Sequence, residues 1–141
     1  MQFDGDSGFI RGKDSRIWKT RLAIDAFCSL PRVHTAALER IVCHCTWIFL
    51  LRRRLLSVFG HVYEWIHRYK GLCVPLWQSV VRELRDASSL LPLAVTDLRL
   101  PWSGSIAASD AEGEGGLAVV TADLSPRAVA SMARTSELWR Y

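Results

Sequence analysis

A chain of 141 residues, half of them hydrophobic and six of them tryptophan, has room for one ordinary domain and enough apolar material for a core, which excludes global disorder. Its net charge of +4 is unevenly spread: residues 1–70 carry 12 Lys/Arg against 6 Asp/Glu, whereas residues 71–141 carry 6 against 8, so a polyanion suits the first half and not the second. The longest apolar run, Thr46–Leu51, falls far short of the ~20 residues a membrane helix needs, which excludes a helical membrane span.

The polar start MQFDGDSGFIRGKD is no secretory signal, so an intracellular place, nucleus or cytoplasm, is expected, with Cys28, Cys43, Cys45 and Cys73 as free and largely buried thiols. Gln2-Phe3 and Phe9-Ile10 flank the turn formers Asp4 to Gly8 and predict a short hairpin that begins abruptly. From Asp14 to about Ser29 the pattern is helical, with Asp14 or Ser15 as cap, Ile17, Arg21, Ile24 and Cys28 on one stripe, Trp18 and Leu22 beside it, and Pro31 beyond the end. Thr35 is placed to cap a second helix with Leu38, Ile41, Val42, Cys45, Ile48 and Phe49 on its inner face. After a basic break at Arg52, Arg53 and Arg54, a third helix is expected from Leu55 through Tyr69, stopped at Gly71. Pro75 opens a fourth, with Leu76, Val80, Leu84, Ala87 and Leu91 facing inward before Pro92.

The character changes near Pro101. Ser105–Ser109 and Leu117–Thr121 are strand candidates around an acidic, Gly-rich turn from Asp110 to Gly116, and Ser125-Pro126 opens a short helix through Ala133. The fold class expected is therefore α+β, mainly α: a helical region over 1–100 and a β-hairpin region over 101–141. A two-stranded hairpin cannot bury both faces, so this second region is expected to be the beginning of a larger sheet.

The sharpest candidate for chemistry is Asp110, at the end of a strand and entering a Gly-rich turn beside Glu112 and Glu114. Mg²⁺ prefers carboxylate oxygens, and a strand end holds one rigidly; the competing reading is a solvated acidic turn. Cys43-His44-Cys45 lacks the CxxC spacing of a zinc site, and neighbours one and two apart on a helix cannot close on one ion. Arg52, Arg53 and Arg54, with Arg68 and Lys70 a helix-length on, are candidate phosphate contacts. Trp47, Phe59, Trp65 and Tyr69 are candidate stacking groups, although at helical spacing they read mostly as core.

Taken in order, these residues resemble the stretch in which a retroelement reverse transcriptase runs into its ribonuclease H domain. Glu83-Leu84, Leu90-Leu91-Pro92-Leu93, Asp97-Leu98 and Pro101-Trp102 are similar to an "EL…LLPL…DL…PW" stretch, and Ala108-Ser109-Asp110-Ala111 to the "ASDAS…G" strand that follows it. Upstream, Leu38 to Val42, His44, Thr46-Trp47 and Arg52 to Val58 resemble "LEKLVGH…TW…RRPLLSVF" helices. The chain departs from the pattern at Glu112 (Ser in the family), Cys43 (Gly) and Arg54 (Pro).

The resemblance implies that residues 1–100 correspond to thumb and connection elements that track an RNA–DNA hybrid, and 101–141 to the start of a ribonuclease H sheet. It further implies that Asp110 matches the first Mg²⁺-binding carboxylate of the nuclease. Neither the polymerase's paired aspartates nor the nuclease's remaining carboxylates have a counterpart here, so the expectation is a truncated polyprotein fragment, inactive by itself, that binds nucleic acid. The alternatives are a residual Mg²⁺-dependent ribonuclease completed by another chain and a helical protein-interaction module using Trp65 and Trp77.

Overall fold

A computed structural model describes residues 1–111 and 117–134. Helices dominate it and the strands are short, the mainly α arrangement that the hydropathy pattern predicts. The chain divides into two compact units, Met1–Leu98 and Arg99–Tyr141.

The first unit opens with the antiparallel hairpin β1 (Gln2–Asp4) and β2 (Phe9–Arg11), Phe3 opposite Ile10. Asp4 Oδ1 accepts the N–H groups of Asp6 and Ser7, and Gly8 takes a φ of 70° that a side chain would resist. The helix α1 (Asp14–Cys28) buries Ile17, Thr20, Ile24 and Phe27. Of the expected stripe, Ile17 and Ile24 are core and Arg21 and Cys28 are half-buried, whereas Trp18 and Leu22, placed beside it, stand in solvent. Lys13 occupies the N-cap with no side-chain bond, so neither Asp14 nor Ser15 caps this helix.

A two-residue strand, β3 (Val33–His34), leads into α2 (Thr35–Phe49). The cap is His34, whose Nδ1 accepts the Ala36 N–H at 3.2 Å, rather than Thr35. Thr35 is buried, and its hydroxyl reaches the carbonyl oxygens of Tyr69 (2.9 Å) and Leu72 (3.0 Å) across the unit. Leu38, Val42, Cys45, Ile48 and Phe49 are buried, as the spacing predicts.

Next comes a 3₁₀ segment, Leu50–Val58, broken at Arg52 (φ −144°, ψ 81°). It takes the place of the expected helix start at Leu55. Accordingly α3 covers only Gly60–Arg68, and Gly71 at φ 77° ends that passage of chain. Two residues, β4 (Cys73–Val74), pair with β3, and α4 (Gln78–Leu90) begins three residues after Pro75 instead of at it. Val80, Leu84, Ala87 and Ser88 face the core from α4, joined by Leu91 and Ala94 beyond its end.

The β3–β4 pair was not expected from the sequence, and neither was a third strand beside the opening hairpin. β5 (Val95–Asp97) pairs with the free edge of β2, Thr96 opposite Ile10, and turns the opening hairpin into a three-stranded sheet. The core of this unit runs from Ile17 to Ala94, with Trp65, Phe49 and Phe59 its largest fully buried side chains. Each large apolar side chain withdrawn from water contributes ~1.5–3 kcal/mol, which holds the helices together more than helix propensity does.

The second unit contains the antiparallel pair β6 (Ser105–Ala111) and β7 (Leu117–Asp123), followed by α5 (Pro126–Ala133). Ser125 Oγ caps α5 by accepting the Ala128 N–H at 3.3 Å. A Cβ at Gly104 would lie 3.0 Å from the Leu124 carbonyl oxygen, close enough to press on that backbone. Among the described residues, no helix is long and apolar enough to cross a membrane.

Candidate nucleic-acid interface

α1 and α2 pack side by side, and because each turns its apolar stripe inward, their polar flanks meet along a groove of about 660 Å³. Lys13, Arg16 and Lys19 line it from the α1 side, at three-residue intervals that stack them along one flank. Ser15, Thr20 and Ala23 fill the spaces between, while Ile41 and His44 close it from α2. Thr20 spends its hydroxyl hydrogen on the Arg16 carbonyl oxygen at 2.9 Å. Among the described residues that line the groove none is acidic, and Lys13, Arg16 and Lys19 enter no ion pair with a described residue. A concave surface carrying three uncompensated cations is suited to phosphate oxygens.

The sequence reading missed this groove, although the signal for half of it was there. Cations at positions 13, 16 and 19 fall on one helical flank by spacing alone. His44 and Ile41 come from another helix, and nothing local announces that they meet.

The arginines singled out from the sequence are placed differently. Arg52, Arg53 and Arg54 are all exposed on the 3₁₀ segment, with no described carboxylate paired to them. Three residues per turn, plus the break at Arg52, splay consecutive side chains apart instead of aligning them on a single face. Arg68, the last residue of α3, and Lys70 just beyond it are exposed, so that helix, ~13 Å long at 1.5 Å per residue, separates them along the chain from the arginine run. Arg68 is also engaged locally: its guanidinium lies 5.7 Å from the centre of the Trp77 ring, which packs edge-on against Tyr69. Along the chain these five cations fall in two groups, one on the 3₁₀ segment and one at the end of α3.

The Cys43-His44-Cys45 triplet is split three ways by the helical turn. His44 faces the cationic groove, Cys45 is buried in the core with its thiol pushed up to about 12 by loss of water, and Cys43 is exposed on the opposite side. Cys73 is exposed as well, and Cys28 is half-buried with its thiol raised by the same cause, so largely buried thiols are found only in part. Cys43 lines a second, apolar groove of about 450 Å³ between α2 and α3, together with Val42, Trp47, Leu50, Tyr63 and Ile66. Trp65, offered from the sequence as an interaction residue, is fully buried and donates its indole N–H to the Pro75 carbonyl oxygen at 3.2 Å.

Asp110 lies on β6 in register with Ala118. Glu112, Glu114 and Glu137 fall outside the described residues. Asp123 is opposite Ser105, at the other end of the ladder, and a rise of ~3.3 Å per residue puts it about 17 Å along the hairpin from Asp110. Among the described residues no three His, Cys, Asp or Glu side chains come together as metal ligands.

The residues that carried the family resemblance hold structural positions. Glu83, on α4, accepts the backbone N–H groups of His61 and Val62, each at 2.9 Å, and pairs with His61 Nδ1 at 2.6 Å, so it anchors the start of α3. Leu84 and Leu91 are core, and Asp97 closes the three-stranded sheet opposite Phe9. In comparisons with known proteins, no family model, no curated protein and no solved structure matches this chain.

Proposed function

We propose that Met1–Leu98 is a helical module that holds the sugar–phosphate backbone of nucleic acid, and that the chain derives from the junction of a retroelement reverse transcriptase with its ribonuclease H domain. The observation that carries the binding half is the α1–α2 groove, in which Lys13, Arg16 and Lys19 are left without described counter-ions. Arg52, Arg53, Arg54, Arg68 and Lys70 supply further exposed positive charge on the same unit. On this reading an RNA–DNA hybrid or another duplex is the partner, phosphates are the recognised groups, and sequence is not read. The derivation half rests on the order and spacing of the motif residues; in it Asp110 corresponds to a Mg²⁺-binding carboxylate. The reading assigns binding, not turnover, to the chain by itself.

Fluorescence anisotropy with a labelled hybrid, titrated over a salt series, tests it. Affinity is expected to fall with salt, by ~0.9 in the logarithmic slope for each phosphate neutralised, and Arg16→Glu with Lys19→Glu is expected to flatten that slope. No binding at low salt, or binding indifferent to salt, sinks the proposal. A second reading, a protein-interaction module, is favoured by the apolar groove that exposes Trp47 and Tyr63; salt-insensitive association lost in Trp47→Ala would select it.

A further inference from the structure

The chain has four histidines, and the structure gives them different company. His34 spends Nδ1 on the Ala36 N–H at the start of α2, and His61 Nδ1 lies 2.6 Å from Glu83 Oε1. His67 is exposed in the last turn of α3. Of the four only His44 lines the α1–α2 groove, exposed and with neither ring nitrogen bonded to a described residue.

The charged groups around His44 are cations. Across the groove stand Lys13, Arg16 and Lys19 on α1, and Met1 lines the same space. Arg40, one turn before His44 on α2, is exposed on the neighbouring flank. The acids of these helices are placed elsewhere. Asp14 pairs with Arg11 at 3.5 Å, Asp25 does not line the groove, and Glu39 lines the second groove, where α2 meets the 3₁₀ segment and α3. Leu91–Leu93, which also packs on α2, has no ionisable side chain, and β3 brings only His34, ~15 Å away along the helix.

An imidazole changes such a surface in a way that lysine and arginine do not. It ordinarily titrates near about 6.5, a range in which the other two stay charged. A phosphodiester is anionic throughout that range. Held from α1 by Lys13, Arg16 and Lys19, it favours the charged form of a ring that faces it from α2. A neutral imidazole has one N–H to donate and no charge, whereas an imidazolium donates from both nitrogens and binds a phosphate oxygen more strongly.

We propose that His44 is a proton-dependent phosphate contact of the groove, so that nucleic acid bound between α1 and α2 takes up a proton from solvent at this residue. The inference rests on the nucleic-acid reading above and adds to it a pH range in which binding is strongest. The complex holds the proton more tightly than the empty groove does. The added affinity is therefore fully present below the titration of the free imidazole and is lost as pH rises through that of the complex.

The test is anisotropy with the full chain and a labelled blunt RNA–DNA hybrid, in salt series at about pH 5.5 and about pH 7.2, the upper value chosen so that an α-amino group such as that of Met1 stays mostly charged. The hybrid is expected to bind about fivefold more tightly at the lower pH. The logarithmic salt slope is expected to steepen by ~0.9, the increment for one further phosphate neutralised. His44→Gln, which stays polar and takes no charge, is expected to show neither change. His44→Arg should keep the steeper slope at both pH values, and His67→Gln should behave as the parent chain does. Thermal melts of each variant, matching the parent at both pH values, tie the differences to binding.

Affinity and slope indifferent to pH overturn the proton-dependent contact and leave the phosphate-binding reading standing. A pH dependence that survives in His44→Gln, or disappears in His67→Gln, does the same. No binding at low salt at either pH overturns both.

Discussion

The two units solve the same problem, covering an apolar surface, with different success. In Met1–Leu98 each helix finds another element to bury its stripe, and seventeen apolar residues form one buried cluster. In the second unit Val119 and Val120 are 60% and 67% exposed on β7. Neighbours on a strand point to opposite faces, so both faces of the β6–β7 pair are open at this position. Among the described residues of that unit only Val129, on α5, counts as buried apolar. A helix of modest length needs one partner along one stripe, whereas a hairpin needs cover over two faces. The difference teaches that stability in this chain resides in the helical unit, which is also the unit with the cationic groove.

That contrast is most directly broken by truncating one side chain in each unit. Trp65→Ala removes a fully buried ring and the hydrogen bond to Pro75, and is expected to cost about 3–5 kcal/mol, read by chemical denaturation of the full chain. Val120→Ala in the exposed hairpin should stay within about 0.5 kcal/mol. Comparable losses at the two sites would show that the hairpin is as well supported as the helices.

Glu83 sharpens the same comparison from the polar side. Its carboxylate is mostly covered and satisfies two backbone N–H groups at the start of α3, where no side chain of the adjoining chain does so. Glu83→Ala is expected to cost about 1–3 kcal/mol by leaving those donors without a partner, and Glu83→Gln should recover part of it. A melt unchanged in Glu83→Ala would mean that solvent replaces the anchor at no cost.

Much of this fold is legible in the sequence because apolar residues recur at helical spacing. The stripes of α2 and α4 agree with the burial found at Leu38, Val42, Cys45, Val80, Leu84 and Ala87. Three features escape that logic for physical reasons. β5 is only three residues long and exists because β2 offers it an edge, a tertiary event without local periodicity. The Leu50–Val58 segment has the leucine spacing of a helix, yet the chain breaks at Arg52, and the Thr96 hydroxyl takes the Leu51 carbonyl oxygen that a continuing helix would use. The cap of α2 is a histidine, a residue type rarely assigned that role, while the threonine beside it is drawn inward by two distant carbonyl groups. As for the site, the acidic turn attracts attention because carboxylates and glycines are conspicuous in a string of letters. The cationic groove is assembled from two helices and has no such signature.

Thr35 tests whether that inward pull matters. Thr35→Val keeps the shape and removes the only hydroxyl that reaches the Tyr69 and Leu72 carbonyl oxygens from α2. Those acceptors lie near the surface end of α3 and near Gly71, where water can partly replace the hydroxyl. A loss of about 1 kcal/mol in denaturation is therefore expected, less than at Glu83. A larger loss would mean that the β3–β4 pairing depends on this one side chain.

The smallest effect is expected at the other hairpin, β1–β2, and it depends on pH. Asp4 is fully exposed, but its carboxylate accepts hydrogen bonds from Ser7 and Asp6, which hold its pKa below the usual 3.8. The folded state binds fewer protons at this group than the unfolded state does, so its contribution is present above about 3.8 and disappears as pH falls through the lowered value. Amide exchange at Asp6 and Ser7 should accordingly be slower than in Asp4→Ala at neutral pH, with the two converging in strong acid once intrinsic exchange is corrected for. The β1–β2 turn would then owe its order to a local carboxylate and its strands to β5, two supports that no described residue supplies to β6–β7. If Asp4→Ala leaves exchange at both amides unchanged across the range, the edge contact with β5 alone holds that hairpin, and the contrast between the two hairpins reduces to the presence of a third strand.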